Sequence, residues 1–319
     1  MQDPIYSRIN IPRPTLTAAS GFVLLAALGL WASELALSFL PLGAQAIAAV
    51  ECALYYLPFI ALPVALYMRR HRGLAGAMRL NPLPASGALT AALLALVTVF
   101  CCSALATLWG WALDALGLRA IGGAPTPANR AELMLSIVTM AAVPAVCEEL
   151  LFRGFVLSAW EGRGTVYAIC VSAALFSLIH GNLYGLPVYM LVGVVSGFAC
   201  HAFDSLYVGI VYHTVYNAAC LVLSFLVSGQ GDAAPEMSAS LVFSVALDAV
   251  MSLSVIAMLL SVAVLRAHRG DRPLIPRVRR PLSRRERLTL WAALLVMLAT
   301  LVIVAAIALK AVSTAGGGA

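Results

Sequence analysis

Of the 319 residues, 62% are hydrophobic and only 11% charged, and the mean hydropathy is +0.96. A soluble domain carries about 25% charged residues, so this composition excludes an ordinary globular protein and indicates an integral membrane chain. The net charge of +6 rests on arginine, since Lys310 is the sole lysine, and no nucleic-acid partner is expected. The seven cysteines (Cys52, Cys101, Cys102, Cys147, Cys170, Cys200 and Cys220) all lie in apolar segments without a C-x-x-C pair. They read as small packing residues rather than a zinc or redox motif.

Apolar runs of the roughly 20 residues that cross a bilayer recur along the chain. In order, helices are expected at about Leu16–Leu40, Ala44–Met68, Gly87–Leu113, Ala131–Trp160, Thr165–His180, Tyr184–Phe203, Leu206–Val227, Ser240–Leu265 and Leu288–Leu309. The fold class is therefore all-α, a polytopic membrane bundle of about eight or nine spans. The fourth run is overlong, and a tilt or a kink at Pro144 would accommodate it. No cleavable signal peptide is expected, because Met1 to Pro14 holds Asp3 and prolines and the following apolar run exceeds an h-region. Three parts follow: residues 1–130 with three spans, a core at 131–228, and 229–319 with a basic loop at 266–287.

Arginine sets the expected orientation. With the N-terminus inside, the inner segments and helix ends hold 17 of the 20 basic residues, leaving Arg119, Arg130 and Lys310 outside. The positive-inside rule then places the N-terminus in the cytoplasm and, for nine spans, the C-terminus outside. The loop 266–287 is a topology anchor that can also bind anionic lipid headgroups. Glu34, Glu51 and Asp248 stand alone within apolar helices and are expected to form interhelical hydrogen bonds. Gly193 and Gly197 form a small-xxx-small pair, a weak sign of close helix approach.

One stretch carries more chemistry: Cys147-Glu148-Glu149-Leu150-Leu151-Phe152-Arg153. Ionisable groups inside a membrane segment are costly, so they face protein or water and mark function by default. Glu149 and Arg153 are four apart on a helix and can pair, which leaves Glu148 pointing elsewhere. His180 follows Phe176 by four residues, and His213 and Asn217 share a helical face. Glu148 lies 12 residues before Trp160 and His180 lies 15 after Thr165, or about 18 and 22 Å from the same turn at 1.5 Å per residue. His213 and Asn217 lie about 10 and 16 Å from the inner end of their own helix. Four polar groups from three helices thus reach a common depth, and an intramembrane cavity opening to the cytoplasm is expected, with His201, Asp204 and Ser205 at its rim.

The order E-E-x-x-x-R, F-x-x-x-H, H-x-x-x-N resembles the CAAX protease and bacteriocin-processing (Abi) family of membrane endopeptidases. The matching residues are Glu148, Glu149 and Arg153; Phe176 and His180; and His213 and Asn217, within roughly residues 131–228. The resemblance implies peptide-bond hydrolysis, with Glu148 and His180 activating a water and His213 and Asn217 stabilising the oxyanion. Glu149, Arg153 and Phe176 would support them. No cofactor is implied. Zinc held by His180, His213 and Glu148 is the minority alternative, although H-E-x-x-H is absent. The expected partners are a peptide or protein-tail substrate and the lipid bilayer, and the expected location is a bacterial plasma membrane. Peptide pheromones, bacteriocin leaders or membrane-protein tails fit better there than prenylated C-a-a-X tails. A non-catalytic immunity or peptide-binding scaffold and, less so, a proton-coupled transporter are the competing functions.

Overall fold

The computed structural model is helical in every element among the described residues, which are 11–118, 126–227, 239–269, 274–276 and 281–316. The helices are α1 (Leu16–Ser38), α2 (residues 44–70), the short α3 (Leu74–Ala77), α4 (Ala85–Ala115), α5 (Arg130–Glu161), α6 (Thr165–Ile179), α7 (Leu186–Phe203), α8 (Leu206–Val227), α9 (Ala239–Arg269) and α10 (Arg284–Gly316). Among the described residues, eight helices are long and apolar enough to cross a membrane, and α6 is shorter. The chain is an integral membrane protein. Its outward faces carry residues such as Leu89, Phe100 and Phe243, each more than 60% exposed. Such a surface suits contact with lipid, as the eight apolar helices require.

Local chemistry sets the helix ends. The Thr15 hydroxyl accepts from the Ala18 amide and starts α1. At α5, Asn129 and Glu132 form a reciprocal cap: the Glu132 amide donates to Asn129 Oδ1 at 3.0 Å, and the Ala128 amide donates to Glu132 Oε2 at 2.9 Å. Ser283 and Glu286 make the same kind of box at α10.

Two helices depart from regular α geometry in three stretches, two of them beside prolines. In α2 the turns over Cys52–Ala61 are π-helical around Pro58. In α5, Ile137–Ala142 is π-helical just before Pro144, and Leu150–Val156 is π-helical around Arg153. Proline lacks an amide proton and crowds the carbonyl four residues back, so a wider turn relieves the clash. Such bulges gather at functional sites.

The core is built on α5, which packs on α2, α6 and α8. Leu151, Phe152, Phe155, Val156, Leu157 and Trp160 are all essentially inaccessible. Around this centre, α7 packs on both α6 and α8, α4 on α8 and α9, and α10 on α1. Gly193 and Gly197 of α7 press against Ala173 and Ile169 of α6; a Cβ on Gly193 would sit 2.8 Å from that of Ala173.

At the end of the bundle where α5 turns into α6, a buried polar knot joins distant segments. Glu161 receives Arg79 at 2.5 Å and Arg13 at 2.8 Å, and His201 stands 3.5 Å away. Asn81 donates to the Asp204 carbonyl at 2.7 Å, and Ser205 donates to the Asn81 carbonyl at 2.9 Å. His201 and Ser205 are buried. They therefore anchor α7 and α8 and form no rim, contrary to the sequence expectation. The basic loop is pinned at the same end, with Thr165 and Ile275 exchanging bonds of 2.9 and 3.0 Å. Residues 270–273 and 277–280 of that loop lie outside the described residues.

Candidate active site

A cavity of about 530 Å³ opens between α2, α5, α6, α7 and α8. Glu148, Phe176, His180, His213 and Asn217 all line it. Glu149 and Arg153 sit behind its wall, fully buried.

Those two form the foundation. Arg153 Nη1 lies 3.0 Å from Glu149 Oε1, and its guanidinium lies 4.3 Å over the Phe176 ring. The second oxygen of Glu149 accepts from Ser196 Oγ at 2.7 Å. His213 Nδ1 approaches Glu149 Oε1 at 3.1 Å. A carboxylate can only accept, so this nitrogen carries a proton. The close approach of α8 requires Gly209, where a Cβ would stand 2.6 Å from Glu149 Oε2 and 2.5 Å from Cys200 Sγ.

His213 also bridges to the other acid, with Nε2 3.8 Å from Glu148 Oε2. That gap exceeds a hydrogen bond and leaves the pair apposed across the cavity wall. The other Glu148 oxygen accepts from the Tyr56 hydroxyl at 3.1 Å. Tyr56 belongs to the π-helical stretch of α2. No sequence motif marks it, because a tyrosine in an apolar helix is ordinary.

His180 closes the C-terminal end of α6. Its Nδ1 is 2.7 Å from the Phe176 carbonyl, which can only accept, so Nδ1 carries the proton and Nε2 of the neutral ring holds the lone pair. The ring stacks on Tyr189 at 4.0 Å and meets the edge of Phe176 at 4.8 Å. Asn217 reaches the Met140 carbonyl at 3.4 Å, within the π-helical turn before Pro144 where carbonyls lose regular partners. Glu51 was expected to bridge helices. It lines the cavity instead. Among the described residues, no three His, Cys, Asp or Glu side chains converge as metal ligands.

The cavity extends from Glu148 and His180 toward Ala48 and Ser224, each about one turn from the end of its helix. Those ends lie opposite the Glu161–Arg79 knot, because α5, α2 and α8 all run between the two faces. The cavity thus reaches toward the helix ends opposite the knot that holds His201 and Ser205.

Residues 130–219, from the start of α5 to Ala219 in α8, match the family model described as Type II CAAX prenyl endopeptidase Rce1-like. The segment contains all seven motif residues, so the resemblance read from them holds. No curated protein and no solved structure matches the chain.

Proposed function

We propose, from a core segment of the CAAX prenyl endopeptidase family, that this protein is an intramembrane endopeptidase that cuts a peptide or protein tail by direct attack of a water. The observation that supports this reading is that Glu148, His180, His213 and Asn217, drawn from three helices, line one cavity. A water between Glu148 and His180 Nε2 would lose a proton to the carboxylate as it attacks the scissile carbonyl. Tyr56 donates to the far oxygen of Glu148 and so fixes the direction of the remaining lone pairs. The proton would then pass to the leaving amine, with His180 as the relay.

Glu149 holds His213 by Nδ1, so Nε2 is the atom that can turn to the substrate. When protonated, it donates to the developing oxyanion beside Asn217 Nδ2, and both stabilise charge that exists only in the transition state. Arg153 offsets the charge of Glu149, so the buried ensemble tolerates a second carboxylate at Glu148. Every proton transfer here is carried by this chain's own groups. The substrate enters at the end marked by Ala48 and Ser224, on the outer face if arginine sets the orientation.

The testing experiment incubates purified protein in detergent with a peptide library and maps products by mass spectrometry. Defined cleavage by wild type, absent in Glu148→Gln, is expected. A wild type that binds peptides without cutting any would favour the scaffold function.

A further inference from the structure

The proposed chemistry leaves one charged group of the cavity unused. Among its described lining residues are two carboxylates, Glu148 and Glu51, and no lysine or arginine. Glu51 is half-buried. Its side chain makes no hydrogen bond or ion pair among the described residues, and it stands near enough to Glu34 of α1 and to Glu148 for the charges to interact. A carboxylate in a low-dielectric wall, with two other acids near it, is unfavourable unless a cation meets it.

Position argues against a merely structural role. Glu51 precedes the π-helical turns of α2, and the i→i+5 bonding of such turns brings residues five apart to one face. Glu51 and Tyr56 accordingly line the same wall, with Tyr56 bonded to Glu148 and Glu51 farther toward the Ala48 end. Their axial separation is at most about 7.5 Å at the α-helical 1.5 Å per residue, or about two residues of extended peptide at about 3.3 Å each. An ammonium or guanidinium seated on Glu51 would therefore belong to a side chain about two to four residues from the scissile bond.

We propose that Glu51 is the specificity-determining residue of this cavity and receives a lysine or arginine side chain of the substrate. The inference rests on the endopeptidase reading and narrows its substrate to basic peptides. It also places the selecting residue on α2, outside the segment that matches the family model. The unpaired charge is then a site awaiting its counter-ion. In the bound state, one substrate cation would offset both carboxylates without blocking the water between Glu148 and His180.

The test takes one peptide that wild type cleaves and moves a single lysine through the positions flanking the cut, with norleucine as the neutral control. Wild type should favour lysine at one position by about tenfold or more in kcat/KM, the usual size of one charge-assisted contact. Glu51→Gln should collapse that ratio to near unity, chiefly through KM, and Glu51→Arg should shift preference to a peptide with glutamate there. In unaltered protein, a zero-length carbodiimide cross-link from the peptide lysine should map to Glu51. This arm decides the matter if the variants fail to accumulate. Active wild type with no preference for lysine, a ratio unchanged in Glu51→Gln, or cross-links only to other carboxylates would overturn the assignment while leaving the endopeptidase reading standing. A wild type that cleaves no peptide would remove that reading and this inference together.

Discussion

Replacing Glu149 by glutamine removes one charge from a site where nothing else can take its place. Arg153 is buried to within 1% of its surface and faces Glu149 at 3.0 Å. Breaking a buried pair by removing one partner costs about 3–5 kcal/mol, because the remaining charge is uncompensated. Glutamine also turns an amide donor toward at least one of Ser196 Oγ and His213 Nδ1, both of which donate to Glu149, adding a further ~1–3 kcal/mol for an unmet buried donor. Folded proteins hold a margin of about 5–15 kcal/mol, so the single variant should accumulate poorly. Arg153→Met on the same background removes the stranded charge and should restore about 2 kcal/mol or more of that loss. The assay is reversible unfolding of detergent-solubilised protein in rising dodecyl sulfate, comparing wild type, both single variants and the double. Additive losses, with the double variant less stable than either single one, would refute the coupling and the foundation role given to the pair.

Tyr56→Phe should leave folding intact and lower kcat about 10- to 100-fold, the loss of one hydrogen bond to a charged acceptor; unchanged kcat would remove Tyr56 from the site. Peptide cleavage should persist after prolonged dialysis against a strong chelator, whereas loss on chelation and recovery with zinc would make His180, His213 and Glu148 ligands. A topology reporter fused after Val227 should report the outer side and one inserted at Arg163 the cytoplasm, as arginine distribution demands. The reverse pattern would place the Ala48 and Ser224 end of the cavity on the cytoplasmic side. Gly209→Ala should impair both stability and activity, since its Cβ would displace the Glu149 carboxylate or the Cys200 thiol; normal yield and turnover would show that α8 can withdraw freely.

The helices were legible because apolar runs of bilayer length leave few alternatives, and the expected Leu206–Val227 coincides with the observed α8. The motif residues were legible for a related reason: Glu148, His180, His213 and Asn217 are polar groups in segments that otherwise exclude them. Tyr56 and Gly209 were not, since tyrosine and glycine are ordinary in membrane helices and only the fold shows what they touch. The Glu161–Arg79 knot escaped notice because charged residues at helix ends are normally solvated. Its burial follows from the chain folding back, which local sequence does not record. Prolines 58 and 144 do signal distortion. That the distortion is π-helical, and that Tyr56 and Glu51 line one wall, is visible only in the fold.

The most direct measurement is cleavage in H₂¹⁸O with purified wild type and Glu148→Gln side by side, read by mass spectrometry of both fragments. Attack by a water that Glu148 deprotonates predicts one ¹⁸O in the newly formed carboxylate after a single turnover, and no product from the glutamine variant. Product from Glu148→Gln at near wild-type rate, or a first-turnover carboxylate without the label, would contradict direct water attack driven by Glu148.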